Sequence, residues 1–393
     1  MSESSAKILV VDDVVENRDL LLRRLQRLGI KHIDQAANGL EALAAVRSKN
    51  YDLMLLDIMM PELDGFGVLD ALRKDGRTND LPIIVISAMN EMDAIVRCIE
   101  SGAEDFLLKP FNPVMLRARV LASLEKKSLR DQTRDELKRK QAELNEARTL
   151  QLALVPPPYN ELHGDRRVSI EVFLEPAKEV GGDLVDYFRI GADLVVFLVG
   201  DVSDKGAGAA LMMARTHAMF RSLAARPDAR EVFSNPSTAM NIVNGALATG
   251  NSSCMFVTIF MGTLSLPSLE LTFVRAGHVP PFLWNGSTAM RRLEPAGGPP
   301  LGLVEEFQYK QHTLSLSPDE NLLVLTDGFT EANDADGQLF GDARILAFLA
   351  GAGSVDARTL PSLVEIVHAF EAGQAQSDDM AAILLSFPVL SAS

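Results

Sequence analysis

A group of acidic, hydroxyl and lysine residues near the N-terminus has the types and spacing that suit phosphoryl transfer to a carboxylate. Asp57 ends the apolar run LMLLD, Asp12 and Asp13 follow KILVV, Ser87 ends LPIIVIS, and Lys109 follows DFLL. Carboxylates bind Mg²⁺, and a lysine beside them can hold a phosphoryl oxygen. We predict that Asp57 is a nucleophile that takes a phosphoryl group, with Ser87 hydrogen-bonding the attached phosphate. The alternative is a salt-bridged cluster that only closes the strand ends.

These side chains can act together only if the strand ends that carry them meet at one edge of a sheet. Between residues 7 and 122, five apolar strand-like runs alternate with amphipathic helical runs. That alternation is typical of an α/β doubly wound parallel sheet, in which ligand sites lie beyond the carboxyl ends of the strands. We therefore predict a five-stranded parallel domain over residues 1–122.

This segment resembles the CheY-like receiver domain of two-component response regulators, through the motifs VVDD, LLDIMMPELDG, VISA and DFLLKPF. The resemblance implies that a sensor histidine kinase or phosphotransfer protein is the partner. It also implies a Mg²⁺ site and a phosphorylation switch, with Asp12, Asp13, Asp57 and the Met59 carbonyl as metal ligands, Asp57 as phosphoacceptor, Lys109 as the conserved-type lysine, and Ser87 and Phe106 at the switch positions. Ser and Phe stand where Thr and Tyr are commoner, which affects the strength of the switch.

A helical connector follows. The chain from about residue 112 to 154 contains no glycine, and PPP at 156–158 ends the helix. Positions 133, 137, 140, 144, 147, 151 and 154 keep heptad spacing but are only half apolar. This pattern indicates a weak coiled coil or, alternatively, a single solvated spacer helix. We predict a helical linker over residues 123–155 and a homodimer formed through it.

The remaining residues, 156–393, mix strand runs with a few long helices, which predicts an α+β domain of two packed sheets with helices outside. Aspartates recur after strand runs or in glycine-rich turns of this domain: Asp183 in VGGDLVDYF, Asp201 in FLVGDVSDKGAG, Asp327 in LLVLTDGFTEA and Asp378 in QSDDMAAILL. Oxygen-only ligands favour Mg²⁺ or Mn²⁺ over zinc. Two such ions could direct a shared water at a phosphoryl phosphorus, which predicts phosphoester hydrolysis.

Residues 147–388 resemble the PPM-type metal-dependent protein serine/threonine phosphatases, in the bacterial SpoIIE/RsbU-like branch. The matching motifs are RTLQLALVPP, VGGDLVDYF, GDVSDKGAGAALMMA, RAGHVPPFLW, GGPPLGL, TDGFTEANDADGQLFG and SDDMAAILL. The resemblance implies an αββα sandwich and a phosphorylated STAS-type anti-sigma-factor antagonist as substrate. It further implies two Mn²⁺ or Mg²⁺ ions, bridged by Asp201, with Asp183 and the Val202 carbonyl on the first and Asp327 and Asp378 on the second.

Other polar residues near these motifs have structural interpretations. Successive strand side chains point to opposite faces, so Asp183 and Asp186 reach one site only through a bulge. We expect Asp186 and Asp379 to hydrogen-bond the fold or water around the metals. Lys205 is interpreted as a solvated turn lysine, and His278 as a buried histidine that supports a turn.

Composition narrows the classes of function. The net charge is −15, and residues 156–393 contribute −13 of it, from 15 Lys and Arg against 28 Asp and Glu. An acidic surface disfavours nucleic-acid binding, and hence a DNA-binding regulator. The two cysteines stand alone, the N-terminus lacks a signal-peptide layout, and no apolar run is long enough to span a bilayer, so we expect a cytoplasmic protein with no membrane partner.

Two functions remain open from the sequence. The first is a phosphatase gated by phosphorylation of Asp57, acting through the linker helix. The second is a catalytically silent phosphatase-like adaptor whose partner binding the receiver switches. Loss of catalysis should show as missing aspartates, and all four are present, which favours the enzyme.

Overall fold

The computed structural model describes residues 5–88, 92–163, 166–285, 290–294, 297–317, 320–351 and 355–387. The chain divides into two units, Met1–Gln141 and Ala142–Ser393. A search of the described helices found none with the length and apolar character needed to cross a membrane.

The first unit is built on a parallel sheet, as the alternating pattern predicts. Its strand order is β2-β1-β3-β4-β5. The strands are β1 Lys7–Val11, β2 His32–Ala36, β3 Leu53–Asp57, β4 Ile83–Ser87 and β5 Asp105–Leu108. The helices around them are α1 Val15–Arg27, α2 Gly39–Ser48, α3 Gly65–Lys74 and α4 Met92–Glu100, with a short 3₁₀ turn at Arg77–Asn79. The predicted doubly wound fold is confirmed.

Both faces of this sheet are buried, which explains why its central strands are apolar throughout. In β3, Met54 and Leu56 pack against α2 and α3, whereas Leu53 and Leu55 pack on the other face, with α1 and with Leu116 and Val120. Strands buried on both faces have no polar side to alternate with, so they read as continuous hydrophobic runs. The polar residues of these segments fall at the strand ends.

The connector is the long helix α5, Pro113–Leu152. Its first turns belong to the receiver core through Leu116 and Val120. Farther along, Arg130 pairs with Glu104, while Leu137 is 63% exposed. The predicted connector is therefore helical, and its helix begins ten residues earlier than the linker boundary at 123 because its first turns complete the receiver fold.

The second unit contains two antiparallel sheets. One has the order β14-β11-β10-β9-β8 and the other β13-β12-β15-β16-β7-β6. The strands are β6 Tyr159–His163, β7 Arg166–Glu175, β8 Leu184–Ile190, β9 Leu194–Val202, β10 Val257–Ser265, β11 Glu270–Ala276, β12 Phe282–Trp284, β13 Arg291–Arg292, β14 His312–Ser315, β15 Asn321–Leu325 and β16 Met380–Ser386. The helices are α6 Ala207–Ala224, α7 Ala229–Ser234, α8 Pro236–Ala248, α9 Gly328–Glu331, α10 Gly341–Gly351 and α11 Thr359–Glu371.

The two sheets pack face to face between two helical layers. Along β9, Val195 and Phe197 point into the core between the sheets, and Val196 and Leu198 pack under α6, α7 and α8. On the other sheet, β16 places Ile383 in the inter-sheet core and its neighbours under α10 and α11. This is the predicted αββα sandwich, and the period-two alternation of large side chains on both faces produces it.

Candidate active sites

The receiver site lies at the carboxyl ends of β1, β3 and β5. Lys109 Nζ donates to Asp57 Oδ2 at 2.6 Å and to Asp12 Oδ2 at 2.7 Å. Both carboxylates are nearly buried, at 5% and 1% exposed. Burial raises the pKa of Asp57, an effect that the hydrogen bond and charge of Lys109 oppose. Burial also lowers the pKa of Lys109, but its bonds to Asp12 and Asp57 outweigh this and leave the Lys109 pKa raised.

The donor set of this site suits a hard cation. Asp12, Asp13 and Asp57 each offer a carboxylate oxygen, and these oxygens all lie within 4.8 Å of one another. Asp12 Oδ1 also accepts from Val14 N at 3.0 Å and from Asn17 Nδ2 at 3.0 Å, which fixes that carboxylate. Oxygen ligands at this spacing fit Mg²⁺.

The other predicted receiver residues surround the same strand ends. Ser87 is fully buried at the end of β4, and its carbonyl accepts from Lys109 N at 2.8 Å. Phe106 is partly buried and packs against the receiver core. Met59 follows Asp57 closely and donates its backbone N–H to Asp57 Oδ1 at 3.4 Å, with its side chain 64% exposed.

The second site forms where strand ends of both sheets of the sandwich meet. The β8–β9 register pairs Leu184 with Gly200, so Asp183 and Asp201 come next to each other across the strands. The β15–β16 register pairs Leu325 with Ala382, which places Asp327 and Asp378 at the neighbouring ends. Thr326 links the two sheets, because its Oγ1 donates to Asp183 Oδ2 at 2.7 Å. The topology thus brings together four aspartates that lie far apart along the chain.

Burial and mutual repulsion dominate the electrostatics of these aspartates. Burial raises the pKa of Asp201 to about 7, and the charges of Asp327 and Asp378 add to the rise. Burial and the Asp201 charge likewise raise the pKa of Asp183 well above its usual value. For Asp327, burial is again the largest cause of a raised pKa, followed by the charges of Glu331 and Asp378. A cluster this rich in carboxylates is built for cations.

The two sites differ in how tightly their carboxylates converge. Among the described residues, no group of three or more His, Cys, Asp or Glu side chains besides Asp12, Asp13 and Asp57 brings all its ligand atoms within 4.8 Å. A pair of metal ions some 3.5–4 Å apart needs ligands spread over a wider space. The oxygen-only donor set of the second site is of the kind that suits Mg²⁺ or Mn²⁺.

Asp379 holds the backbone around the second site. Its Oδ1 accepts from Ala177 N at 2.8 Å and its Oδ2 from Gly182 N at 2.6 Å. A methyl group at Gly181 would overlap this carboxylate, and one at Gly328 would overlap the Asp379 carbonyl. Gly181 of VGGD and Gly328 of TDG are therefore required by close approach to the Asp379 segment.

Asp186 and His278 lie in structural contacts. Asp186 is fully buried, and Arg221 donates to it at 2.7 Å and 2.5 Å, while His217 Nε2 lies 3.0 Å from its Oδ2. His278 is 2% exposed, its Nδ1 lies 3.1 Å from Thr258 Oγ1, and burial lowers its pKa to about 3. An imidazole that stays neutral in this way suits a structural role better than general acid catalysis.

Two contacts near the second site are not predicted from the sequence pattern. From the sequence, Lys205 is interpreted as a solvated turn lysine. In the structure its Nζ lies 2.9 Å from Asp378 Oδ2 and donates to the Ser377 carbonyl at 2.8 Å. Gln151, near the end of α5, bonds both backbone groups of Gly181, its Nε2 donating at 2.9 Å and its Oε1 accepting at 3.0 Å. The sequence does not reveal these contacts, because Asp378 lies far from Lys205 along the chain and because the partner of Gln151 is the backbone of Gly181. The motif LQLALVPP, which contains Gln151, is the sequence signal that could have pointed to this residue.

Comparison with known proteins agrees with both halves of this architecture. The family model for Stage II sporulation protein E (SpoIIE) matches residues 191–388, and the response regulator receiver domain model matches residues 8–121. Among solved structures, the SiaA-PP2C domain of Pseudomonas aeruginosa superposes with a TM-score of 0.54 at 19% identity, covering 64% of this chain and 98% of that domain. At this identity the likeness shows the fold of the second unit.

Relatives by sequence cover parts of this architecture. Protein IcfG of Synechocystis sp. is 27% identical over 262 residues, which is 61% of this chain and 41% of IcfG. The probable transcriptional regulator ycf27 of Pyropia yezoensis is 42% identical over 126 residues, which is 32% of this chain and 50% of ycf27. The chain therefore spans half or less of the length of these relatives. Since the SpoIIE model matches half of the chain, the chain belongs to the SpoIIE family, and it joins a PPM-type domain to an N-terminal response regulator receiver domain.

Proposed function

We propose that this protein is a two-component response regulator whose receiver controls a metal-dependent protein serine/threonine phosphatase. One observation carries the enzymatic part of the proposal. Asp183, Asp201, Asp327 and Asp378, which lie on four separate segments, meet where the ends of the two sheets come together. A catalytically silent adaptor has no use for a partly buried, mutually repelling set of carboxylates, which is costly to maintain without cations.

The chain's own residues prepare this site for phosphoester hydrolysis. Asp201 would bridge two Mn²⁺ or Mg²⁺ ions, Asp183 and the Val202 carbonyl would hold the first, and Asp327 and Asp378 the second. When bound, such ions supply Lewis-acid activation of a water and of the phosphoryl group. Thr326 fixes the orientation of the Asp183 carboxylate through its 2.7 Å hydrogen bond. Asp379 keeps the Gly182 backbone, next to Asp183, in place.

The receiver supplies the regulatory input in this proposal. Asp57 takes a phosphoryl group from a sensor histidine kinase or phosphotransfer protein. Mg²⁺ would be held by Asp12, Asp13, Asp57 and the Met59 carbonyl, and the Lys109 ammonium, 2.6 Å from Asp57, offsets charge on the transferred group. Ser87 and Phe106 would respond to the attached phosphate.

The connector offers a physical route from phosphorylation to catalysis. We propose residues 1–122 and 156–393 as the receiver and phosphatase domains, with 123–155 as linker. The linker helix reaches the catalytic domain at Gln151, which is 6% exposed and bonds both backbone groups of Gly181. Gly181 lies two residues before the metal ligand Asp183. A shift or rotation of the helix end therefore changes the position of a ligand loop, with coupling worth roughly 1–3 kcal/mol, or 5–150-fold.

The sequence also suggests partners and location. We propose a phosphorylated STAS-type anti-sigma-factor antagonist as substrate. The exposed Leu129 and Leu137, 58% and 63% exposed on one face of α5, support a homodimer formed through the linker. Cys98 and Cys254 are both free thiols, which supports a location in the reducing cytoplasm.

The enzymatic proposal predicts hydrolysis that depends entirely on added metal. The full chain in Mn²⁺ should hydrolyse p-nitrophenyl phosphate and a phosphoserine-bearing STAS protein, and chelation with EDTA should abolish both activities until Mn²⁺ is restored. Rates would be measured from released p-nitrophenol and from loss of the phosphoprotein band. Absence of metal-dependent hydrolysis of both substrates, with and without a phosphodonor for Asp57, would support the adaptor function instead.

A further inference from the structure

The structure places one lysine against the aspartate cluster of the second site. Lys205 Nζ lies 2.9 Å from Asp378 Oδ2 and donates to the Ser377 carbonyl at 2.8 Å. Two of the three N–H donors of its ammonium are thereby used, and 45% of the side chain remains exposed. In the part of the chain that the structure describes, this is the ion pair that joins a basic side chain to the proposed metal ligands of the second site.

The backbone around Lys205 adopts an unusual conformation. Asp204 has φ 80 and Gly206 has φ 83, so Lys205 is flanked by two residues in the left-handed region. Such a φ strains a residue that carries a side chain. Asp204 Oδ1 accepts from Lys205 N at 2.9 Å, which stabilises the turn. The strained turn holds Lys205 four residues after Asp201, at the mouth of the cluster.

The charge of the cluster explains why a cation is needed there. Asp183, Asp201, Asp327, Asp378 and Asp379 carry five negative charges when ionised. Two divalent ions would bring four positive charges, which leaves one negative charge facing an incoming phosphoryl dianion. Lys205 supplies the remaining positive charge, and its third donor and exposed end are positioned to meet a group arriving from solvent.

We propose that Lys205 is a substrate-binding residue that hydrogen-bonds the phosphoryl oxygens of the phosphoprotein. In the absence of metal and substrate, its ammonium is paired with the Asp378 carboxylate. When a divalent ion neutralises Asp378, the lysine is available to the phosphoryl group. This inference rests on the proposed phosphatase function.

The test compares Lys205→Met with wild type and with Lys205→Arg. Charge-assisted hydrogen bonds are worth roughly 1.5–3 kcal/mol, so loss of one should weaken phosphate binding by about tenfold or more. We expect Lys205→Met to raise the KM for p-nitrophenyl phosphate and the Ki for inorganic phosphate by about tenfold, with a smaller change in kcat. Lys205→Arg should restore much of the phosphate affinity. The exposed Lys310→Met variant, which also removes one positive charge, should behave like wild type.

Two binding measurements separate this role from others. Calorimetric titration of inorganic phosphate into the Mn²⁺-loaded full chain needs no turnover. It therefore tests whether Lys205 binds phosphate even if wild type proves inactive. Mn²⁺ binding, followed by electron paramagnetic resonance of the free ion, should be as tight in Lys205→Met as in wild type, or tighter, because a competing cation has left Asp378. Unchanged phosphate affinity in Lys205→Met, or weakened Mn²⁺ binding, would overturn the proposal.

Discussion

Replacing Asp201 with Asn should abolish the phosphatase activity while leaving the fold intact. Asp201 is the penultimate residue of β9 and lies opposite Asp183, and the charges of Asp327 and Asp378 act on it, which supports the proposal that it bridges both ions. Losing that bridging charge removes several kcal/mol of transition-state stabilisation, so we expect kcat/KM to fall by at least about a hundredfold.

Thermal unfolding distinguishes this effect from damage to the fold. Asn in place of Asp201 removes a repelling charge from a buried cluster, so the metal-free variant should unfold at the same temperature as wild type or higher. Mn²⁺ at a hundredfold excess over its Kd should stabilise wild type by about 2.7 kcal/mol, and the variant should lose most of that shift. A variant that retains both the Mn²⁺-induced shift and the activity would exclude Asp201 as the bridging ligand.

Replacing Gln151 with Met should uncouple the receiver from the phosphatase. The substitution keeps the side-chain length but leaves the Gly181 N–H and C=O without their present partners. Each unsatisfied buried group costs roughly 1–3 kcal/mol, and the ligand loop next to Asp183 would relax to avoid that cost. We expect hydrolysis to fall about tenfold or more and the response to a phosphodonor to disappear, measured as the ratio of rates with and without it.

The neighbouring Leu150 offers a matched control for this experiment. Leu150 belongs to the same turn of α5 but is 66% exposed, so Leu150→Met should keep both the activity and the response. A response to phosphodonor in Gln151→Met equal to that of wild type would show that the signal does not pass through the Gly181 contact.

Much of this architecture was predictable because burial leaves a clear pattern in the sequence. The central strands of the receiver are buried on both faces, so LMLLD and IIVIS appear as uninterrupted apolar runs ending in Asp57 and Ser87. The short strands β12 to β14 are not predictable in this way, because two to four residues are too few to show a period.

Some of the site residues were likewise predictable from the sequence, and others were not. The proposed ligand aspartates lie at or next to strand ends: Asp183 precedes β8, Asp201 is near the end of β9, Asp327 follows β15 and Asp378 precedes β16. Their positions therefore follow from the pattern, and the antiparallel registers then bring Asp183 beside Asp201. Contacts that long side chains make across the fold leave no local pattern in the sequence. Lys205 reaches Asp378 only after the two sheets have packed, and Arg221 reaches Asp186 only after α6 has packed on the sheet that contains β8. Such pairs require the tertiary structure.

The most direct test of a receiver-gated phosphatase is the rate of phosphoprotein hydrolysis by the full chain in Mn²⁺, with and without a small-molecule phosphodonor. Wild type should change its rate by about 5–150-fold when Asp57 is phosphorylated, and Asp57→Asn should show the same rate under both conditions. Stoichiometric phosphorylation of Asp57 that leaves the wild-type rate unchanged would contradict the account.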